Sequence, residues 1–192
     1  YPTVSKLGTC VQNDTYFDKH IQHVMGLALV NKEAIAKKNF KVAIDCVNST
    51  GGIVLPMLLK ALGVAEVVEL YCEPNGHFPH NPEPLPENLT EISAAVIKHN
   101  ADLGIVVDPD VDRLALVSED GEMFGEEYTL VAVADYVLKN TKGSTVSNLS
   151  STRALRDVTE SYDCEYFASS VGEVNVVNKM KEVNAVIGGE GN

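Results

Sequence analysis

Residues 104–113 read GIVVDPDVDR and run straight on into LALV (114–117). A glycine and three β-branched residues lead to Asp108, Asp110 and Asp112 at alternate positions, and Arg113 closes the run. The apolar half has the continuous hydrophobic character of a strand buried on both faces. Successive side chains of a strand point to opposite faces, so three alternating aspartates cannot all be ordinary solvated charges on a regular strand. Two like charges 4 Å apart cost about 1 kcal/mol in water and about 4 kcal/mol at an effective dielectric near 20. Three converging carboxylates therefore call for a cation among them or a shared proton. Hard oxygen donors at this short spacing suit Mg²⁺, which takes one or two protein carboxylates together with water and phosphate oxygens. Pro109 fixes one backbone angle of the loop and so helps to aim the side chains.

Three rival readings of this loop can be weighed from the residues alone. Asp108, Asp110, Asp112 and Glu119 fall at positions 1, 3, 5 and 12 of a calcium EF-hand, but position 6, which needs a glycine turn, is Arg113. A haloacid-dehalogenase-type phosphatase also opens on an aspartate pair after an apolar strand, but here Asp112 stands where Thr or Val is expected. In the third reading the aspartates only cap turns and pair with Arg113, which leaves their alternation after a wholly apolar strand without a reason.

Outward from this loop, strands and helices alternate. KVAIDCV (41–47) reads as a strand, GGIVLPMLLKALG (51–63) as a helix stopped by Gly63, and AEVVELYC (65–72) as a strand. Residues 73–88, EPNGHFPHNPEPLPEN, hold five prolines in sixteen residues and can form neither a helix nor a central strand. NLTEISAAVIKHN (88–100) is an amphipathic helix, DLGIVV (102–107) a strand, and LALVSEDGEMF (114–124) a hairpin turning at Asp120-Gly121. A second cycle follows: helix (128–140), strand STVSNL (144–149), helix SSTRALRDVTESY (150–162), strand CEYFAS (164–169), helix EVNVVNKMKEV (173–183) and strand NAVIGG (184–189). This is an α/β fold of layered units with largely parallel sheets. The expected division is a linker and helix over 1–39, a metal-binding α/β unit over 40–124 and an incomplete α/β unit over 125–192. The chain reads as a piece of something larger, because a strand-like run and a glycine-rich loop, AVIGGEGN (185–192), end it with nothing to receive them.

The bulk numbers narrow the partners. With 192 residues and 45% hydrophobic content the chain can bury a real core. A formal charge of −12 argues against nucleic acid or an anionic membrane as partner. No window approaches the 18 or so apolar residues of a membrane span, and YPTVSKLGTC (1–10) is not a signal peptide. Cys10, Cys46, Cys72 and Cys164 form no C-x-x-C pair and are expected to be reduced thiols, as in a cytoplasmic protein.

The stretch ADLGIVVDPDVDRLALVSEDGEMFGEEYTL (101–130) resembles the metal-binding segment of the α-D-phosphohexomutases. VAIDCVNSTGG, YCEPNGHFPHNPEP, SNLSSTRAL, VGEVNVVNKM and IGGEGN resemble further segments of that family's second and third domains, in order and spacing, over essentially all of residues 40–192. The resemblance implies domain II and part of domain III of a four-domain enzyme that interconverts hexose 1-phosphates and 6-phosphates through a phosphoserine and a bisphosphate intermediate. It implies that Asp108, Asp110 and Asp112 hold Mg²⁺ beside that phosphoserine and that Arg113 is catalytic, close to the reacting phosphate or sugar. It also implies that Glu190 accepts hydrogen bonds from the sugar hydroxyls at positions 3 and 4, with Asn192 at a place usually held by serine. Among substrates it leans to glucosamine phosphate, the phosphoglucosamine mutase reading, with phosphomannomutase and phosphoglucomutase as alternatives.

The departures from the family pattern are specific. Glu173 stands where some relatives have a cationic residue, Glu126 where aspartate is usual, and Glu127 where arginine is frequent. No segment resembles T-A-S-H-N-P, the carrier of the phosphoserine, so the N- and C-terminal domains are expected elsewhere in the protein and this chain alone is expected to be inactive. The reading from a different class is a non-catalytic module that binds metal or sugar phosphate. His77, His80 and His99 read as surface or packing residues, and SSTR (150–153) as either an anion-binding or a plain helix cap.

Overall fold

The computed structural model describes Thr3, Lys6 and residues 8–191. Two helices, α1 (Tyr16–Met25) and α2 (Lys32–Lys38), lead into β1 (Lys41–Asp45), α3 (Gly51–Leu62), β2 (Glu66–Leu70), α4 (Thr90–His99), β3 (Leu103–Val107) and β4 (Leu114–Val117). There follow α5 (Glu126–Asn140), β5 (Thr145–Asn148), α6 (Ala154–Ser161), β6 (Tyr166–Ser169), α7 (Glu173–Val183) and β7 (Ile187–Gly189). The chain builds two sheets, of order β2-β1-β3-β4 and β6-β5-β7. Every pairing is parallel except that of β3 with β4. The α/β architecture with mostly parallel sheets is thus the one the alternation predicts, and β4 is an antiparallel edge strand.

The first sheet is covered on both faces, which explains its unbroken apolar strands. Ala43, Ile92, Val96, Val106 and Ala115 pack in one layer with α4. Val42, Ile44, Cys46, Leu59 and Val107 pack in the other with α3. Fully burying a side chain such as Ile92, at 0% exposure, contributes roughly 1.5–3 kcal/mol. Cys46 and Cys72 share this second layer. A hydrogen bond with Cys72, and then burial, push the Cys46 thiol upward, so it behaves as a small hydrophobe.

Helix ends follow the sequence closely. Asn31 accepts a hydrogen bond from the Ala34 N–H at 2.9 Å and starts α2. Gly63 at φ 86 ends α3, while Asn39, Asn100 and Asn184, at φ 50–52, end α2, α4 and α7 in the same left-handed conformation. Residues 73–85 form no regular element, and Pro86–Asn88 makes one 3₁₀ turn. The second hairpin turns at Gly121 (φ 83), where the Ser118 N–H donates to the Glu122 carbonyl at 2.8 Å.

β5 is wholly buried although its sequence is TVSN. Its polar groups are matched: the Thr145 and Thr159 hydroxyls are 2.6 Å apart and the Ser147 hydroxyl is 2.9 Å from that of Tyr166. Paired buried hydroxyls avoid the desolvation cost that unpaired ones would carry. Among the described residues no helix is long and apolar enough to cross a membrane.

Candidate active site

The aspartate run is the connection of the β3–β4 hairpin, residues 108–113, at the carboxyl end of the first sheet. Open α/β sheets place their ligands beyond this end. Asp108 is 5% exposed, and its Oδ1 accepts the backbone N–H groups of Asp112 (3.1 Å) and Arg113 (3.2 Å). Val111 takes a left-handed φ of 62 to close this turn. From the neighbouring turn after β1, Ser49 Oγ donates to the Pro109 carbonyl, as does Thr50 Oγ1 at 3.2 Å. The loop is therefore braced by its own amides and by two hydroxyls of the β1–α3 connection.

Asp110 and Asp112 are exposed, yet one carboxylate oxygen from each of the three aspartates lies within 4.8 Å of the others. That span is close to the separation of two oxygens across one divalent ion with bonds of about 2.1–2.4 Å. Burial pushes the Asp108 carboxyl above its ordinary value, and the Asp110 and Asp112 charges push the same way, against the Arg113 backbone hydrogen bond. The site is a trio of hard donors under mutual repulsion, and a divalent cation fits both its chemistry and its charge. Arg113 offsets only part of that charge, because it is divided between two acids: its guanidinium pairs with Glu83 of the proline-rich loop, and its Nε is 3.8 Å from Asp108 Oδ2.

In the second sheet, Glu190 follows directly on β7. Its Oε1 accepts from the Asn148 side-chain amide and from the Gly172 N–H, the latter at 2.7 Å. The Gly191 N–H donates to Ser151 Oγ at 2.8 Å. Glu127 Oε2 takes the Thr152 N–H at 2.6 Å, so the SSTR segment is pinned internally and acts as a cap and brace, with its serines turned to Asn148. Gly188 and Gly189 lie in strand β7, within the strand expected over 184–189. A Cβ on Gly188 would lie 2.7 Å from the Val146 carbonyl oxygen and 2.8 Å from Met180 Sδ, so that position is set by close backbone approach. Asn192 and the Glu126 side chain lie outside the described residues.

The two loops meet at one cleft of about 670 Å³. Glu83, Asp112 and Arg113 line it from one side, and Glu127, Glu173 and Glu190 from the other. Of the residues singled out in the sequence, the cleft joins Asp112, Arg113, Glu127, Glu173 and Glu190, while Asp108 and Asp110 are tied to it through Asp112 in the cation cluster. Sequence reading missed Asn148 and Glu83 as members of the site. His80, read from the sequence as a surface or packing residue, sets its ring edge-on to Tyr71 and its Nε2 3.0 Å from Asp45 Oδ2, a carboxylate 1% exposed at the end of β1. No local signal marks these residues, because each acquires its partner across the fold; Asn148 and Glu190 are 42 positions apart.

Two family models match the chain. One, described as phosphoglucomutase/phosphomannomutase, alpha/beta/alpha domain II, covers residues 15–121. The other, domain III of the same family, covers residues 125–192. Across 100% of its length the chain is 31% identical to the probable phosphoglucosamine mutase of Methanopyrus kandleri, of which it covers 42%. Over 80% of its length it is 36% identical to the phosphomannomutase/phosphoglucomutase of Pseudomonas aeruginosa, covering 34% of that protein. A crystal structure of a phosphoglucomutase/phosphomannomutase family protein from Burkholderia thailandensis superposes with a TM-score of 0.78 at 30% identity, over 91% of this chain and 37% of the other. The chain thus spans 34–42% of the length of these relatives.

Proposed function

This chain belongs to the phosphoglucomutase/phosphomannomutase family, and from that premise we propose that the protein carrying it interconverts hexose 6-phosphates and 1-phosphates with Mg²⁺. The observation that carries the reading is the single cleft, lined at once by Asp112 and Arg113 of the aspartate loop and by Glu190 at the end of β7. A hexose phosphate has a charged end and a face of hydroxyls, and the cleft offers a group for each.

In this reading Asp108, Asp110 and Asp112 hold the ion, whose charge offsets that of a phosphoryl group in transit. Arg113 exchanges Glu83 for phosphate oxygens, which its forked guanidinium suits. Glu190 offers its second oxygen to the sugar hydroxyls, and Asn192 is assigned to the same recognition loop. A phosphoserine, placed outside these 192 residues with the remaining domains, gives its phosphoryl group to the free hydroxyl of the hexose monophosphate. The resulting bisphosphate turns over and returns its other phosphoryl group to the serine, so atoms and charge balance over one cycle. The 192-residue chain alone is accordingly expected to show no turnover. Sugar phosphates are charged and do not cross membranes unaided, which favours a cytoplasmic place for the protein.

Glucosamine phosphate is the proposed preferred substrate. Five carboxylates, from Glu83, Asp112, Glu127, Glu173 and Glu190, face the cleft against one arginine, and this balance favours a hexose bearing an ammonium group. The test is to assay the intact protein on the 6-phosphates of glucosamine, glucose and mannose. The highest kcat/KM is expected for glucosamine, with Asp110→Asn lowering Mg²⁺ affinity and activity on all three. Binding without turnover of any sugar would favour the non-catalytic module, and equal Mg²⁺ affinity for the Asp110→Asn variant would remove the assigned ligands.

A further inference from the structure

Asn148, the last residue of β5, is 4% exposed and joins five donors and acceptors. Its Oδ1 accepts from the Ser150 N–H (3.1 Å), the Ser151 N–H (2.8 Å), Ser150 Oγ (3.0 Å) and Ser151 Oγ (2.7 Å). Backbone amides can only donate, so the oxygen of the side-chain amide must face them and its NH₂ must face Glu190. That NH₂ donates to Glu190 Oε1, which also accepts the Gly172 N–H. Ser151 Oγ, while donating to Asn148, accepts from the Gly191 N–H. Asn148 thus holds the Glu190 side chain directly and the next residue's backbone through one serine. Glu190 Oε2 has no hydrogen-bond partner among the described residues.

We propose that Asn148 is a positioning residue that locks Glu190 Oε1 and presents Oε2 to the ligand in the cleft. The two halves of its amide have separate tasks. The oxygen shapes the 149–152 loop, and the NH₂ sets the torsion of the Glu190 carboxylate. A buried side chain of this kind fixes a surface carboxylate far more narrowly than the cleft rim alone would, and so lowers the ordering cost of binding. Only an amide can do both, since a carboxylate at 148 has no proton to donate to Glu190 and a hydroxyl cannot reach all partners.

The assignment rests on the reading of the cleft as a sugar-phosphate site, and it is tested in two arms on the intact protein. The first needs no ligand. In Asn148→Asp, which keeps the oxygen and loses the NH₂, the amide resonance of Gly172 is expected to shift and its hydrogen exchange to rise about tenfold. The Ser150 and Ser151 amides should hold their positions, which also reports that the variant is folded. An unchanged Gly172, or equal perturbation of all three, overturns the proposal. The second arm is a double-mutant cycle read by calorimetry with glucosamine 6-phosphate and Mg²⁺. Asn148→Asp should weaken binding about tenfold in the native background and less than about twofold when Glu190→Ala is already present. Equal losses in both backgrounds overturn it. If the native protein binds no hexose phosphate, the functional reading falls while the first arm still decides the role of Asn148.

Discussion

The two sheets share a three-stranded parallel plan, to which the first adds the antiparallel edge strand β4, and they differ in the residues that end their central strands and follow their third. In each, the first strand is central and pairs in parallel with the second and third, as β1 does with β2 and β3, and β5 with β6 and β7. In each, a buried Asx ends the central strand, Asp45 or Asn148, and an acid follows the third, Asp108 or Glu190. An asparagine can donate as well as accept, so Asn148 reaches across and holds Glu190. An aspartate has no amide NH₂ to offer, and Asp45 instead accepts the Val47 N–H and meets His80. Asp108 is left to its own loop's amides, to the edge of the Arg113 guanidinium and to two further aspartates. One amide in place of one acid separates an acceptor fit for a hydroxyl from a charge cluster fit for a cation.

Removing a charge at Asp108 should break that contrast most strongly. Asp108→Asn keeps an oxygen for the Asp112 and Arg113 amides but loses an anionic ligand. Divalent-cation affinity should fall roughly 100-fold by calorimetry, while metal-free stability holds or rises as repulsion is relieved. Unchanged affinity would count against the cluster.

Next in size is the strand that carries Glu190. Gly188→Ala should destabilise the protein by about 3 kcal/mol in denaturant titration, because the new Cβ meets the Val146 carbonyl. Gly104→Ala in β3, where a Cβ would meet the Val117 and Val96 side chains, should cost less. The reverse order would show that the two third strands are constrained differently from this account.

Asp45→Asn makes the first strand end resemble the second. Burial pushes the Asp45 carboxyl above its ordinary 3.8, against the Val47 hydrogen bond and His80. The folded state therefore keeps a proton that the unfolded chain has lost, in the interval between 3.8 and the raised value. Stability falls as pH rises through that interval, and this contribution is complete only below it. The variant should show a flatter stability–pH curve, gaining on the native protein as pH rises. Parallel curves would show that Asp45 does not titrate as its burial demands.

The smallest effect is expected at the Arg113–Glu83 pair, whose side chains are 41% and 50% exposed. Glu83→Gln should change stability by no more than about 1 kcal/mol. A loss above about 2 kcal/mol would mean that the proline-rich loop is held to the first sheet mainly through this pair.

The run GIVVDPDVDR was legible alone because a buried strand and three crowded carboxylates are local facts: burial shows in the apolar pattern, and repulsion in the spacing. Helices and most strands followed from periodicity and from stop residues such as Gly63. The alternation of elements predicted the α/β class for the same reason, since each element must bury its apolar face against the next. Partners across the fold were not legible. That Gly188 meets a carbonyl, that His80 meets Asp45 and that Asn148 holds Glu190 are all long-range contacts. Their physical cause is the order of strands in a sheet, which brings together residues far apart in the chain. The sequence by itself determined which groups carry charge and where the chain turns; only the tertiary structure decided which of them satisfy one another and which are left to face the cleft.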